Sequence, residues 1–345
     1  MYINKNSHSK LNLGIQILRI IFSFWIVTVH CYSQRKNENI KLFYKKMKFH
    51  VPTFIFISFY FYYNKLIKRD ITKITQRIVR LLIPYIIWPF IFLIINNFCH
   101  ILFDFQQFRK KLTFHDYFVQ LVIGRGIYSY FWYINVTLFS TFIFTIISYI
   151  FYGHFLFIIQ LLGLISYRIH LSSFYANFDL KEKYFSHSNI ILFIEMIPSA
   201  VLGLTFGSKN ITDNLKNHYI KHIIIHIIFL YFLFKLNIFQ IHEGYLYSGI
   251  EINTIGAINS FIIFSLFPFE KCLHERIICI IKNLSSYTGG IYYLHVILHF
   301  YLAKIIIFIK NRTLSGCIII YLFCYFICFI GSRLFKKSIL NYLFI

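Results

Sequence analysis

Apolar runs long enough to cross hydrocarbon recur along almost the whole chain, and they restrict its fold more than any other feature. A helix rises about 1.5 Å per residue, so a hydrocarbon core of about 30 Å takes roughly 20 apolar residues. Runs of this kind, set apart by charged or Pro/Gly/Asn punctuation, cover about 11–33, 49–64, 81–103, 130–151, 154–167, 189–207, 219–240, 251–269, 288–309 and 313–335. The second and fifth are short for a span; such helices tilt little, thin the bilayer or stay buried among others. Pro52, Pro84, Pro89, Pro198 and Pro268 are read as lying near run starts or ends, which suits unbroken helices. No internal repeat, linker or shift in composition divides the chain. The expected fold is an all-α integral membrane protein, one domain over 1–345, built as a single bundle of about ten transmembrane helices.

Composition agrees. Of 345 residues 58% are hydrophobic and only 14% charged, whereas a soluble domain keeps about a quarter of its residues charged to cover its surface. A formal charge of +23 would point to nucleic acid in a soluble protein. Here the Lys and Arg residues sit between apolar runs, within reach of headgroups and water, and no nucleic-acid module appears. Nucleic acid is not an expected partner; membrane lipids are. The seven cysteines are scattered without a CxxC pair and read as small apolar fillers. The first run carries Arg19 and lacks a small-residue cleavage site, so it is expected to stay as the first span.

With the N-terminus in the cytosol, the basic connector Lys65–Arg80, the residues Lys271, Arg276 and Lys282, and the tail Arg333, Lys336 and Lys337 all fall inside. Glu243 and Glu251 then fall outside. The segment Arg35–Lys48, with six basic residues, would also be outside, so the positive-inside rule tips the choice only slightly. Both termini are expected to be cytosolic.

Charged and imidazole groups within spans are expensive and mark polar interiors or function. Arg19 and His30 lie eleven residues apart in the first run, three helical turns plus about 20°, so they share a helix face roughly 16 Å apart. They suit the two ends of an extended ligand; snorkelling to opposite headgroup layers explains them too. Arg77 and Arg80, three apart, make neighbouring guanidinium forks fit for phosphate, or an ordinary juxtamembrane anchor. His295 reads either as part of a site or as a neutral histidine hydrogen-bonded between helices. His299 shares its face, but without a carboxylate or Cys nearby the pair is a poor metal site and no metal is expected. Glu195 in the sixth run suits protonation, pairing with a cation such as Arg19, or a place in a site.

These elements, in this order, resemble acyltransferase family 3, the multi-span membrane O-acyltransferases. The Arg19-x10-His30 run resembles the family's first-helix signature. Val51-Pro52-Thr53-Phe54-Ile55-Phe56-Ile57-Ser58-Phe59-Tyr60 resembles its Pro-x-Phe-Phe-x-x-Ser-Gly-Tyr segment. Arg77-x-x-Arg80 followed by Leu-Leu-Ile-Pro-Tyr resembles its Arg-x-x-Arg element. Phe131-Trp132-Tyr133-Ile134 resembles a Trp-Phe-Leu segment of its middle helices, and Gly290-Ile291-Tyr292-Tyr293-Leu294-His295 its late Ile-Tyr-Leu-x-His motif. Two departures stand out: Phe59 replaces the glycine after the serine, adding bulk beside the expected pocket, and short connectors leave no room for an extra soluble domain.

The resemblance implies transfer of an acyl group, commonly acetyl, from acyl-CoA (acetyl-CoA) to a hydroxyl of a carbohydrate or lipid-linked acceptor. It places His30 and Arg19 in the catalytic site, Arg77 and Arg80 on the donor's phosphates, and Ser58, Trp132 and His295 as further candidates, beside Glu195, which is a candidate as a lone carboxylate within a span. His30 suits removal of the hydroxyl proton, since imidazole titrates near neutral pH. A polytopic secondary transporter, with intramembrane Arg, His and Glu binding substrate or protons, is the alternative.

Overall fold

The computed structural model describes residues 12–32, 50–103, 113–123, 132–176, 189–209, 215, 218–242, 250–305 and 314–345. Its elements are helices: α1 (Leu13–Tyr32), α2 (His50–Ile67), α3 (Ile71–Phe103), α4 (Phe114–Ile123), α5 (Trp132–Ile150), α6 (Phe155–Ala176), α7 (Asn189–Lys209), α8 (Tyr219–His242), α9 (Ile250–Leu266), α10 (Glu275–Ser286), α11 (Thr288–Ile305) and α12 (Leu314–Leu334). Among the described residues there is no strand. Hydrocarbon offers no partner for backbone N–H and C=O groups, so a chain rich in β-branched Ile nevertheless closes its hydrogen bonds helically.

Ten of these helices have 17 or more residues, and each overlaps one of the ten expected spans. Among the described residues, five stretches are long and apolar enough to cross a membrane: Leu13–His30, Ile71–Phe98, Trp132–Ile150, Tyr152–Ile169 and Leu314–Leu334. The apolar parts of α7, α8 and α9 are shorter. Two expectations need correction. The basic connector before the third run is helical from Ile71, so Arg77 and Arg80 stand on α3 itself, and Pro84, Pro89 and Pro198 lie inside helices rather than at their ends. Interior prolines are tolerated in membrane helices, where neighbouring groups re-satisfy the freed carbonyls.

Large apolar side chains such as Phe157, Leu164, Ile225 and Phe232 face outward, whereas hydroxyls and amides such as Thr53, Ser140, Thr141, Asn96 and Asn259 are buried. A soluble protein does not display apolar surface on that scale. Side-chain packing, rather than hydrophobic exclusion, must then hold the helices together, and small residues allow it. Gly203 and Gly207 press α7 onto α2: a Cβ at Gly203 would overlap the Phe56 carbonyl, and one at Gly207 would stand 2.6 Å from the Tyr60 carbonyl. At the start of α1, a Cβ on Gly14 would strike the Phe264 carbonyl of α9, and Asn12 Nδ2 donates to the Ser265 carbonyl at 2.6 Å.

Three apolar clusters fill the bundle. One joins α1, α3, α5, α11 and α12 around Ile26, Trp88, Phe92 and Ile291. The second joins α2, α5, α6 and α7 around Phe59, Phe144 and Ala200. The third joins α1, α2 and α9 around Phe22, Phe56 and Phe261. Between the first two, α5 offers a polar stripe, Thr137, Thr141 and Thr145, each bonded to the carbonyl four residues back.

Candidate active site

A cavity of about 580 Å³ opens between the end of α2, the start of α3 and α10. Arg19, Lys65, Lys73, Arg77, Arg80 and Lys282 line it, and among its described lining residues there is no Asp or Glu. Lys65 and Lys73 flank one connector and Lys282 belongs to another, so the two basic connectors meet at one face of the bundle. Asp70, outside the lining, holds the exposed Lys73 at 2.8 Å. Burial, then the charges of Arg77, Arg80 and Lys73, lower the Lys65 ammonium, which lies past the expected second span, to about 8. Like charges crowded in excess of their counter-charges favour an anion.

Each arginine is held by a different helix contact. Arg19 donates through Nη2 to Thr288 Oγ1 (2.9 Å), whose hydroxyl donates to the Ser285 carbonyl (3.0 Å), tying α1 to the start of α11. Arg77 donates through Nη1 to the Ser58 carbonyl (3.1 Å), through Nη2 to Ser58 Oγ (2.8 Å) and through Nε to Thr141 Oγ1 (3.2 Å). Its guanidinium also lies over the rings of Phe59 and Tyr62, at 4.9 and 4.3 Å from their centroids. A guanidinium carries five N–H donors, so two remain for a ligand. Arg80 is exposed, with its guanidinium 5.3 Å from the Tyr342 ring. Both arginines of the pair reach the cavity, but only Arg77 is built into the bundle.

Tyr133 of α5 and Tyr292 of α11 also line the cavity, with ring centroids 5.0 Å apart. The Tyr292 ring is also 6.0 Å from the His295 ring, and the His295 ring is 5.0 Å from that of His30 at a 36° tilt. His295 is buried (1% exposed), and its Nδ1 lies 3.1 Å from the Ile291 carbonyl. The two histidines, 265 positions apart, are thus brought together next to Tyr292, while Arg19 lines the cavity.

A family model for the acyltransferase domain matches residues 12–335, nearly the whole chain. The chain belongs to acyltransferase family 3. No curated protein and no solved structure gives a significant match. Membership makes the molecule a membrane acyltransferase, with an acyl donor and a hydroxyl acceptor, in preference to a transporter.

In this acyltransferase, Arg19, Ser58, Arg77 and Arg80 line one cavity, and His30 and His295 form one pair. Trp132 does not line the cavity; it packs against the apolar cluster of α2, α5, α6 and α7. Glu195 belongs to α7, but its side chain lies outside the described residues, as does Glu243. His299 is buried, and among the described residues no group of three His, Cys, Asp or Glu gathers as metal ligands do. Sequence reasoning missed Lys65, Lys282, Tyr133 and Tyr292 as members of the site. The tyrosines stand inside the Trp-Tyr and Ile-Tyr-Tyr-Leu-His segments and could have been found there. Lys282 lies on α10, whose one face is apolar and other face charged, and only packing brings it over the cavity.

Proposed function

We propose that this acyltransferase moves an acyl group, acetyl in the first instance, from acyl-CoA to a hydroxyl of a carbohydrate or lipid-linked acceptor. The observation that carries the reading is the cavity lined by six cations from α1, the end of α2, α3 and α10, with no Asp or Glu among its described lining residues. Coenzyme A carries several phosphate groups at one end and the reactive thioester at the other. A space of this size lies within the range that holds a substrate-sized ligand. Arg80 and the lysines meet phosphates from the open side, and Arg77 and Arg19 present their remaining N–H groups from the bundle.

The acyl arm then passes Tyr133 and Tyr292 toward His30, about 16 Å along α1 from Arg19. A thioester already has a good leaving group, so the protein must supply position and a base. The imidazole of His30 takes the acceptor's hydroxyl proton as the new C–O bond forms and the C–S bond breaks, and returns that proton to the thiolate. On this reading the cavity face is cytosolic, where acyl-CoA is made, and the acceptor approaches His30 from the opposite side, with about ten spans and both termini inside.

The test is acyl transfer from labelled acetyl-CoA in membranes containing the full chain, scored in lipid and glycan fractions. The wild-type chain is expected to transfer label, and His30→Ala to lose at least about 100-fold in rate while retaining its detergent-extracted, monodisperse state. Activity of His30→Ala within a few-fold of wild type would remove the base role.

A further inference from the structure

Past α12 the chain folds back and becomes part of the cavity wall. A short 3₁₀ helix, Ile339–Leu343, starts at Ser338, whose hydroxyl accepts the Leu340 N–H at 3.2 Å. Short segments outside the long helices fray unless tied down, and this one is tied at each residue after Tyr342. Leu343 is buried, and its carbonyl accepts the indole N–H of Trp88 on α3 at 3.3 Å. The Phe344 ring stacks on that of Phe335, with 5.8 Å between centroids and 6° between planes, and a Cβ on Gly331 of α12 would strike it. The backbone then runs against the start of α11. A Cβ on Gly290 would stand 2.8 Å from the Phe344 carbonyl oxygen, and one on Gly289 would stand 2.5 Å from the Ile345 backbone oxygen.

This anchorage holds Tyr342 in place. Its half-buried side chain lines the cavity, and the guanidinium of the exposed Arg80 lies 5.3 Å from its ring centroid. The other tyrosines of the lining pack on aromatic rings within the bundle, Tyr133 on Tyr292, and Tyr293 on Trp88. A tyrosine ring and a guanidinium plane are both surfaces on which nucleobases stack. We propose that Tyr342, with Arg80, recognises the nucleotide end of the donor: the adenine base stacks on the Tyr342 ring, and Arg80 meets the adjoining phosphate. This rests on the acyl-CoA reading above and adds the residue that selects a nucleotide among phosphorylated donors. The six cations respond to charge and accept phosphate of any origin, whereas a flat ring on a fixed backbone responds to the base. Stacking needs no matched hydrogen bonds, so one tyrosine suffices. With the base held against the segment after α12, the rest of the donor extends past Tyr133 and Tyr292 into the bundle.

The experiment measures how two compounds inhibit transfer from labelled acetyl-CoA in membranes containing the full chain. One is adenosine 3′,5′-bisphosphate; the other is ribose 3,5-bisphosphate, with the same phosphates and no base. In the wild type the base is expected to strengthen inhibition about tenfold. Tyr342→Leu, apolar without a π face, should weaken inhibition by the adenosine compound at least about fivefold and by the ribose compound less than about twofold. Tyr342→Phe should keep the advantage of the base. Should Tyr342→Leu fail to fold, Tyr342→Gln, also without a ring, takes its place. A ring that merely holds Arg80 would move both inhibitors together, so an equal loss for both overturns base recognition. So does no loss for either, or a wild type that both compounds inhibit equally. Each of these results leaves acyl transfer standing. A wild-type chain that transfers no label overturns the acyl-CoA reading, and the role of Tyr342 with it.

Discussion

Arg77 grips Ser58 twice, at its carbonyl and at its hydroxyl, from the neighbouring helix. With the third bond to Thr141, one side chain ties α2, α3 and α5 together beneath the cavity. Arg77 and Arg80, alike in the sequence, should therefore answer mutation differently. Arg77→Ala leaves the buried Thr141 hydroxyl and the half-buried Ser58 without their donor, and is expected to cost about 2–4 kcal/mol of stability. It should lower the thermal unfolding midpoint in detergent as well as donor use, and Arg77→Lys should rescue little, since an ammonium cannot span both sites. Arg80→Ala should leave the unfolding midpoint within about 1 °C and raise KM for acetyl-CoA several-fold. Equal shifts in midpoint for the two variants would refute the distinction.

The approach of α7 to α2 makes a second prediction. A methyl at Gly203 meets the Phe56 carbonyl, which belongs to helix backbone and cannot swing aside. Gly203→Ala is expected to cost about 1–3 kcal/mol, and Gly203→Leu to abolish the folded monodisperse peak on size-exclusion chromatography. Gly153, where a Cβ meets nothing within 4 Å, supplies the control: Gly153→Ala should leave the same peak unchanged.

Lys65 gives the cavity a pH dependence. Its ammonium is lowered to about 8 by burial and by Arg77, Arg80 and Lys73, so it is mostly charged at pH 7 and mostly neutral at pH 9. The phosphates of the donor keep their charge over that range, their second ionisation lying near pH 6. Affinity for the donor should therefore fall as pH rises through about 8, with KM for acetyl-CoA increasing up to about tenfold between pH 7 and 9. Lys65→Arg, charged throughout, should flatten the profile. A wild-type KM that is constant over this interval would show that Lys65 does not meet the donor.

Sidedness is accessible to cysteine labelling, with one precaution the structure supplies. Cys272 and Cys279 are exposed, so single cysteines at Lys73 and Glu243 should be introduced after Cys272→Ser and Cys279→Ser. With an impermeant maleimide on intact cells, Glu243→Cys should react and Lys73→Cys should react only after permeabilisation. Labelling of Lys73→Cys from outside would place the cationic cavity away from the cytosol and remove acyl-CoA as its ligand.

The apolar runs by themselves determined that this chain is a membrane bundle of helices, because burying unpaired backbone in hydrocarbon leaves a helix as the local solution wherever about 20 apolar residues follow one another. The helical spacing of Arg19 and His30 likewise stated that both lie on one face, and the ordered motifs pointed to the family that matches residues 12–335. What no local pattern could decide is which partner each of these groups meets. Arg77 and Arg80 differ only because α2 and α5 lie on one side of α3 and present Ser58 and Thr141 there. His30 and His295 share no sequence neighbourhood, and only the packing of α1 beside α11 sets their rings 5.0 Å apart. Periodicity repeats along one helix and carries a residue's angular position; distance across a bundle depends on crossing angles and on small residues such as Gly203, which belong to pairs of helices. For the same reason Lys65 and Lys282, ordinary basic residues when read one at a time, became walls of a single cavity.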